Sequence, residues 1–281
     1  IALIVTAITF AYRAALEGTW EKEFHLTKEQ IGWIFSPAFW GFTLAMIFGG
    51  PLCDIIGMKK LVGLAFIGHV TGIVIYLVAK DATMLFIGTV CIGVGNGMVE
   101  AACNPLVVSL YPDNKTTMLN KFHVWFPGGI VIGSLISKFM TDFGMGWQMQ
   151  MWVLMIPTLI YAFLFFGKAF PKPTVEGVTS ISSNLKAMFS PVFIFLFFCM
   201  ALTAISEFGP QQWTGLIMSK SGASPMLILA LVTGLMAVIR FFAGPIVEKF
   251  DQTGVLLGSA VLAAIGIYLF STQTGSMAYV A

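Results

Sequence analysis

The sequence predicts an all-α, polytopic transmembrane helical bundle, and three observations carry that expectation. Hydrophobic residues make up 58% of the 281 positions and charged residues only 10%, against about 25% charged in an ordinary soluble domain. Mean hydropathy is +0.90. The apolar residues also fall in runs of about 20, the length a helix needs to cross a bilayer, and not in the alternating segments of about 10 that a membrane barrel shows. Such a chain takes the lipid bilayer as its solvent and leaves no room for a large soluble domain.

Nine runs read as spans, at 1–16, 31–53, 61–79, 83–110, 122–141, 149–169, 191–218, 225–246 and 254–273. The first ends where Glu17, Glu21, Lys22 and Glu23 begin, the second at Gly57-Met-Lys59-Lys60, and the third at Lys80-Asp81. Tyr111-Pro112-Asp113 closes the fourth, Asp142 the fifth and Lys168 the sixth. Lys220 follows the seventh, and Glu248-Lys249 the eighth. Ile1 already lies in an apolar run, and residues 276–281 open another, so both ends read as cut. The longest polar connection separates 1–169, an N-terminal six-helix half, from 191–281, a partial C-terminal half with spans seven to nine and the start of a tenth. Residues 170–190 form the central loop. Eight lysines (Lys59, Lys60, Lys115, Lys121, Lys168, Lys172, Lys186, Lys249) follow even-numbered spans, and five (Lys22, Lys28, Lys80, Lys138, Lys220) follow odd ones. That bias places the N-terminus and the central loop in the cytoplasm.

Composition also sets function classes aside. Net charge is +2, with the basic residues scattered through loops, so there is no stripe of the kind nucleic acid requires. Cys53, Cys91, Cys103 and Cys199 lie in or beside apolar segments without paired spacing, which gives neither a metal site nor a disulfide framework. No cofactor is expected. An intramembrane enzyme would need a convergent nucleophile and base, and no such pair falls within the spans.

The two halves carry a related loop. Gly50-Pro-Leu-Cys-Asp54-Ile-Ile-Gly57-Met-Lys59-Lys60 follows the second span, and Gly244-Pro-Ile-Val-Glu248 follows the eighth. Each joins Gly-Pro to an acid four residues after the Gly, which suggests the internal duplication found in many transporters. A carboxylate at a helix end, with two ammonium groups a short turn away, can latch neighbouring helices and release them as the halves rock. The first loop resembles the signature loop between the second and third helices of the major facilitator superfamily. A second stretch, Gly95-Asn96-Gly-Met-Val-Glu100-Ala-Ala-Cys-Asn104-Pro105 with Leu119-Asn120 and His123, is similar to the fourth and fifth helices of the fucose:proton symporter family.

The resemblance implies a twelve-helix fold, of which about nine helices are present, and a monomeric secondary transporter of the cell inner membrane. It implies a small polar substrate, most simply a monosaccharide, moved by proton-coupled alternating access. The match is incomplete. The first-helix acid of that family falls on Ala15, flanked by Arg13 and Glu17, and its fifth-helix glutamine falls on His123.

Ionisable side chains inside spans are costly and mark candidate sites; here they are Arg13, Glu100, Glu207 and Arg240. Asn96, Glu100 and Asn104 recur at i, i+4 and i+8, on one helical face. Glu100 is the candidate proton-coupling carboxylate, or else a structural partner of Arg13, and His123 is a candidate for tuning it or for the gate. Glu207, Gln211, Gln212 and Trp213 surround Gly209-Pro210 and offer acceptors, donors and a flat apolar face for a sugar. Trp213 equally suits an interfacial belt, and Trp40 is a weaker pocket candidate. Arg13 divides two substrate classes. Neutralised by Glu17 or Glu100 it leaves a neutral sugar; unneutralised, it suits an organic anion or sugar acid.

Overall fold

The computed structural model describes residues 1–171, 186, 188–218, 222–242 and 252–272. Glu248, the second copy of the repeated loop, most of the central loop and the opening of a tenth span lie outside the described residues. Within them every regular element is a helix: α1 (Ala2–Glu23), α2 (Lys28–Phe35), α3 (Pro37–Ile56), α4 (Met58–Leu77), α5 (Ala82–Leu110), α6 (Lys115–His123) and α7 (Trp125–Asp142). There follow α8 (Trp147–Phe165), α9 (Pro191–Gln212), α10 (Thr214–Met218), α11 (Pro225–Phe241) and α12 (Gln252–Thr272). Taken through their short breaks, seven stretches are long and apolar enough to cross a membrane. The first and eighth expected spans, α1 and α11, are not among them. The first carries Arg13 and Glu17 along a largely buried helix, and α11 is 17 residues long.

Three expected spans are broken, the second and fifth near a proline that cannot donate to the preceding turn. The second span is interrupted at Ser36, before Pro37 at the start of α3. Its hydroxyl donates to the Trp33 carbonyl and accepts from Trp40 Nε1. The fifth breaks at Val124, ahead of Pro127, and the seventh at Trp213, after Pro210. The first helix runs seven residues past its expected end because Trp20, 1% exposed, packs on Phe35, Tyr76 and Trp147. Trp147 Nε1 then donates to Glu23 Oε2 at 2.7 Å.

In lipid the hydrophobic effect does not drive helices together, so close backbone approach through small residues takes over. A Cβ on Gly129 would lie 2.6 Å from Ala7 Cβ, and one on Gly133 2.9 Å from Ala11 Cβ, so α7 lies directly on the backbone of α1. Similarly α5 meets α3, where a Cβ on Gly97 would lie 2.4 Å from the Phe42 carbonyl oxygen. A buried polar chain crosses four helices: Tyr161 (α8) to His69 (α4) at 3.0 Å, His69 to Asn96 (α5) at 2.9 Å, and Asn96 to Thr9 (α1) at 3.0 Å. Asn96 accepts through Oδ1, so His69 carries its proton on Nε2 and accepts from the tyrosine hydroxyl.

The signature loop is built by helix ends. Gly57 caps α3 at φ 86°, a left-handed conformation that a Cβ would strain. Lys59 Nζ donates to the Lys168 carbonyl oxygen at 2.9 Å, joining the start of α4 to the end of α8.

Candidate functional site: a central cavity closed by phenylalanines

A cavity of about 710 Å³ lies between α1, α3, α5, α7, α9 and α11, within the range of small-molecule sites. Its polar wall is Glu100, Asn104, His123, Glu207, Gln212, Trp213 and Arg240. Glu100 Oε2 accepts from Asn104 Nδ2 at 3.0 Å, and Asn104 Oδ1 is 3.1 Å from His123 Nε2. An amide oxygen only accepts, so His123 presents Nε2–H. Among the described residues the second amide hydrogen of Asn104 and Glu100 Oε1 have no protein partner. Across the cavity Arg240 stands 3.9 Å from Glu207. Gln212 is buried, with its amide nitrogen unpartnered.

Phenyl rings close one end. Phe10, Phe39, Phe126 and Phe208 come from α1, α3, α7 and α9, and Phe10 is the hub, with centroids 5.4 to 5.9 Å from the other three. From this plug the cavity extends toward the end of the bundle where α3, α5 and α11 stop. Beyond it Ala7, Ala11, Ala14, Ile130, Met226 and Leu229 pack into a dry layer. Past that layer lies a second cavity of about 420 Å³, lined by Ala15, Glu17, Glu21, Lys28, Ser137, Lys138 and Asp142 among others. Two chambers, each with charged side chains in its wall, thus lie on either side of a thin apolar barrier.

Seven of the residues singled out from sequence line the large cavity: Glu100, Asn104, His123, Glu207, Gln212, Trp213 and Arg240. The other candidates lie elsewhere. Asn96 is fully buried inside the bundle in the His69 chain. Gln211 lines neighbouring cavities, one of which it shares with Glu207. Trp40 is 43% exposed on the outer surface, beside the stacked pair Trp33 and Phe86. Arg13 is buried behind the plug, with its Cζ 4.1 Å from the Phe10 ring centroid. It pairs with neither Glu17, which faces Lys28 at 3.8 Å, nor Glu100. Asp54, Lys59 and Lys60 lie at the open end of α3 and the start of α4. The aromatic plug escaped sequence reading, because four phenylalanines among 26 on four separate spans carry no local signal.

A bundle of spanning helices around a solute-sized cavity, largely apolar with a few convergent polar groups, defines a multi-pass membrane transporter. The chain belongs to the Major Facilitator Superfamily, whose family model matches residues 1–281; this is a family of transporters and not of enzymes. Its fold is similar to that of the E. coli fucose:proton symporter, at TM-score 0.69 and 16% identity over 99% of this chain and 78% of that one. It is similar to a D-xylose-proton symporter at TM-score 0.73 and 14% identity, over 99% and 76%. In sequence it is 26% identical to the D-xylose transporter of Levilactobacillus brevis over 148 residues, 52% of this chain and 32% of that protein. It is 24% identical to the 3-(3-hydroxy-phenyl)propionate transporter of Escherichia coli K12 over 215 residues, 72% of this chain and 51% of that one. The chain therefore spans a third to a half of the length of these curated relatives.

Proposed function

We propose that the protein is a secondary transporter that moves a neutral monosaccharide together with one proton by alternating access. The charge balance of the cavity carries this reading. Among the described residues two carboxylates, Glu100 and Glu207, face one guanidinium, Arg240, so one negative charge is left over. A single proton on Glu100 neutralises the chamber, and a neutral solute then crosses without carrying unbalanced charge through the barrier. An anion would meet like charge there, and Arg13, which would attract it, lies behind Phe10. Gln212, Asn104 and Trp213 supply hydroxyl partners and a ring face.

The working unit is the arrangement of two halves, 1–169 and 191–281, joined by a cytoplasmic loop in the cell inner membrane, with the protein acting as a monomer. The lysine-rich end faces the cytoplasm. The large chamber then opens inward and the Glu17 chamber outward, which fits one state of a rocking cycle. Asp54, Lys59 and Lys60, with Gly50 and Gly57 shaping their loop, act as the cytoplasmic latch.

The test is uptake of labelled monosaccharides and sugar acids into proteoliposomes bearing the full-length protein, with and without an inward proton gradient, beside Glu100→Gln. Accumulation of a neutral sugar that needs the gradient and disappears in the variant is expected. Accumulation of the acids alone, or unchanged gradient dependence in Glu100→Gln, would overturn the proposal.

A further inference from the structure

Arg13 is 2% exposed at mid-length on α1, and among the described residues none of its three guanidinium nitrogens has a hydrogen-bond partner. Its position relative to the two nearest candidates on sequence grounds is already fixed: Glu17 faces Lys28, and Glu100 is held by Asn104. An arginine side chain does not give up its proton in a protein, so this charge persists. A buried charge without a partner is costly enough that such groups are paired or bind an ion. The Phe10 ring face offsets only part of that cost.

Beside Arg13 lies a small cavity of about 10 Å³, walled by Thr9, Tyr12, Trp20, Tyr76 and apolar side chains. That leaves room for a single small guest, a water molecule or one monatomic ion. Two of its polar walls are already used: the Tyr76 hydroxyl bonds Thr89 at 2.7 Å, and Thr9 accepts from Asn96. The other two are donors without acceptors, since the Tyr12 hydroxyl and Trp20 Nε1 are buried and unpartnered, as is the guanidinium. The residues around it therefore carry one fixed positive charge and unpartnered donors on three side chains. It is too small for a carboxylate-bearing solute, and a water molecule would leave the charge in place.

We propose that this cavity binds a single chloride ion, which neutralises Arg13 within the N-terminal helices. The ion is separate from the transported solute, and the proposal stands whatever the large cavity carries. Its binding couples to the plug, because Arg13 rests on Phe10, the hub of the ring cluster.

The experiment is thermal unfolding of the full-length protein in detergent, in sodium chloride, sodium bromide or sodium gluconate at equal ionic strength. A saturable rise in melting temperature with chloride and bromide, absent with gluconate, is expected, and Arg13→Gln should abolish it. If that variant does not fold, Tyr12→Phe and Trp20→Phe each remove one donor, and each should raise the half-saturating chloride concentration by about tenfold. Crystals grown in bromide should show an anomalous peak beside the guanidinium. Identical melting in chloride and gluconate, a chloride response undiminished in the donor variants, or no anomalous peak at Arg13 would overturn the proposal.

Discussion

Arg13 and Glu17 sit one helical turn apart on α1 yet serve different chambers. Glu17, 3% exposed, turns to Lys28 at 3.8 Å in the second cavity, and Arg13 lies beneath the Phe10 ring. Lys28 is about half exposed, so the pair is worth much less than a fully buried one. We expect Lys28→Met, which also removes the Lys28 bond to Glu21, to cost about 1 kcal/mol of stability, and Lys28→Met with Glu17→Gln to recover only the part that belongs to Glu17. Melting of the two single variants and the double variant measures the coupling.

Phe10→Ala removes the hub of the plug and exposes Arg13 to the large cavity. Inhibition of sugar uptake by sugar acids should strengthen by about tenfold, since a hydrogen bond to a charged group is worth about 1.5–3 kcal/mol. Phe10→Leu, which still covers the guanidinium, should leave inhibition unchanged. Competition assays on both variants decide it.

Asn96 belongs to the buried chain through His69, so its loss should register as stability and not as substrate affinity. Asn96→Ala leaves the His69 Nε2–H without its acceptor, while the Thr9 hydroxyl keeps its bond to the Thr6 carbonyl, and should cost about 1–3 kcal/mol. The KM for the transported solute should stay at its wild-type value. A large change in KM with unchanged melting would instead place Asn96 in the solute path.

The glycines of the bundle are not equivalent: Gly97 of α5 is closed in by α3, whereas Gly63 of α4 faces open space. Gly97→Ala would drive a Cβ to 2.4 Å from the Phe42 carbonyl oxygen and should cost about 1–3 kcal/mol or prevent insertion. Gly63→Ala meets nothing within 4 Å and should be neutral or stabilising by about 0.5–1 kcal/mol. Thermal melting of the two variants separates close packing from general intolerance of substitution.

Much of the architecture was legible in the sequence, because bilayer thickness fixes helix length, and runs such as 83–110 against Ala82–Leu110 agree closely. The breaks at Ser36 and Val124 were signalled by Pro37 and Pro127, but whether a proline kinks a span or breaks it depends on neighbours distant in sequence. The site shows the same limit. Asn96, Glu100 and Asn104 share a face only loosely, because each step of four residues drifts by about 40° and two steps by about 80°. That drift turns Asn96 into the bundle while Asn104 and Glu100 reach the cavity. For Arg13 the i, i+4 spacing made Glu17 an available partner, but Glu17 instead faces Lys28, delivered by α2, at 3.8 Å, and Lys28 bonds Glu21 more closely. A chain folding back on itself sets such competition, and local spacing is silent about it.

The polar chain from Thr9 through Asn96 and His69 to Tyr161 bolts α1, α4, α5 and α8 into one mechanical block. Spin labels on the outer ends of those four helices should keep their mutual distances throughout a transport cycle. The travel would then appear between that block and α9 and α11, and amide exchange along the chain would be the slowest in the molecule.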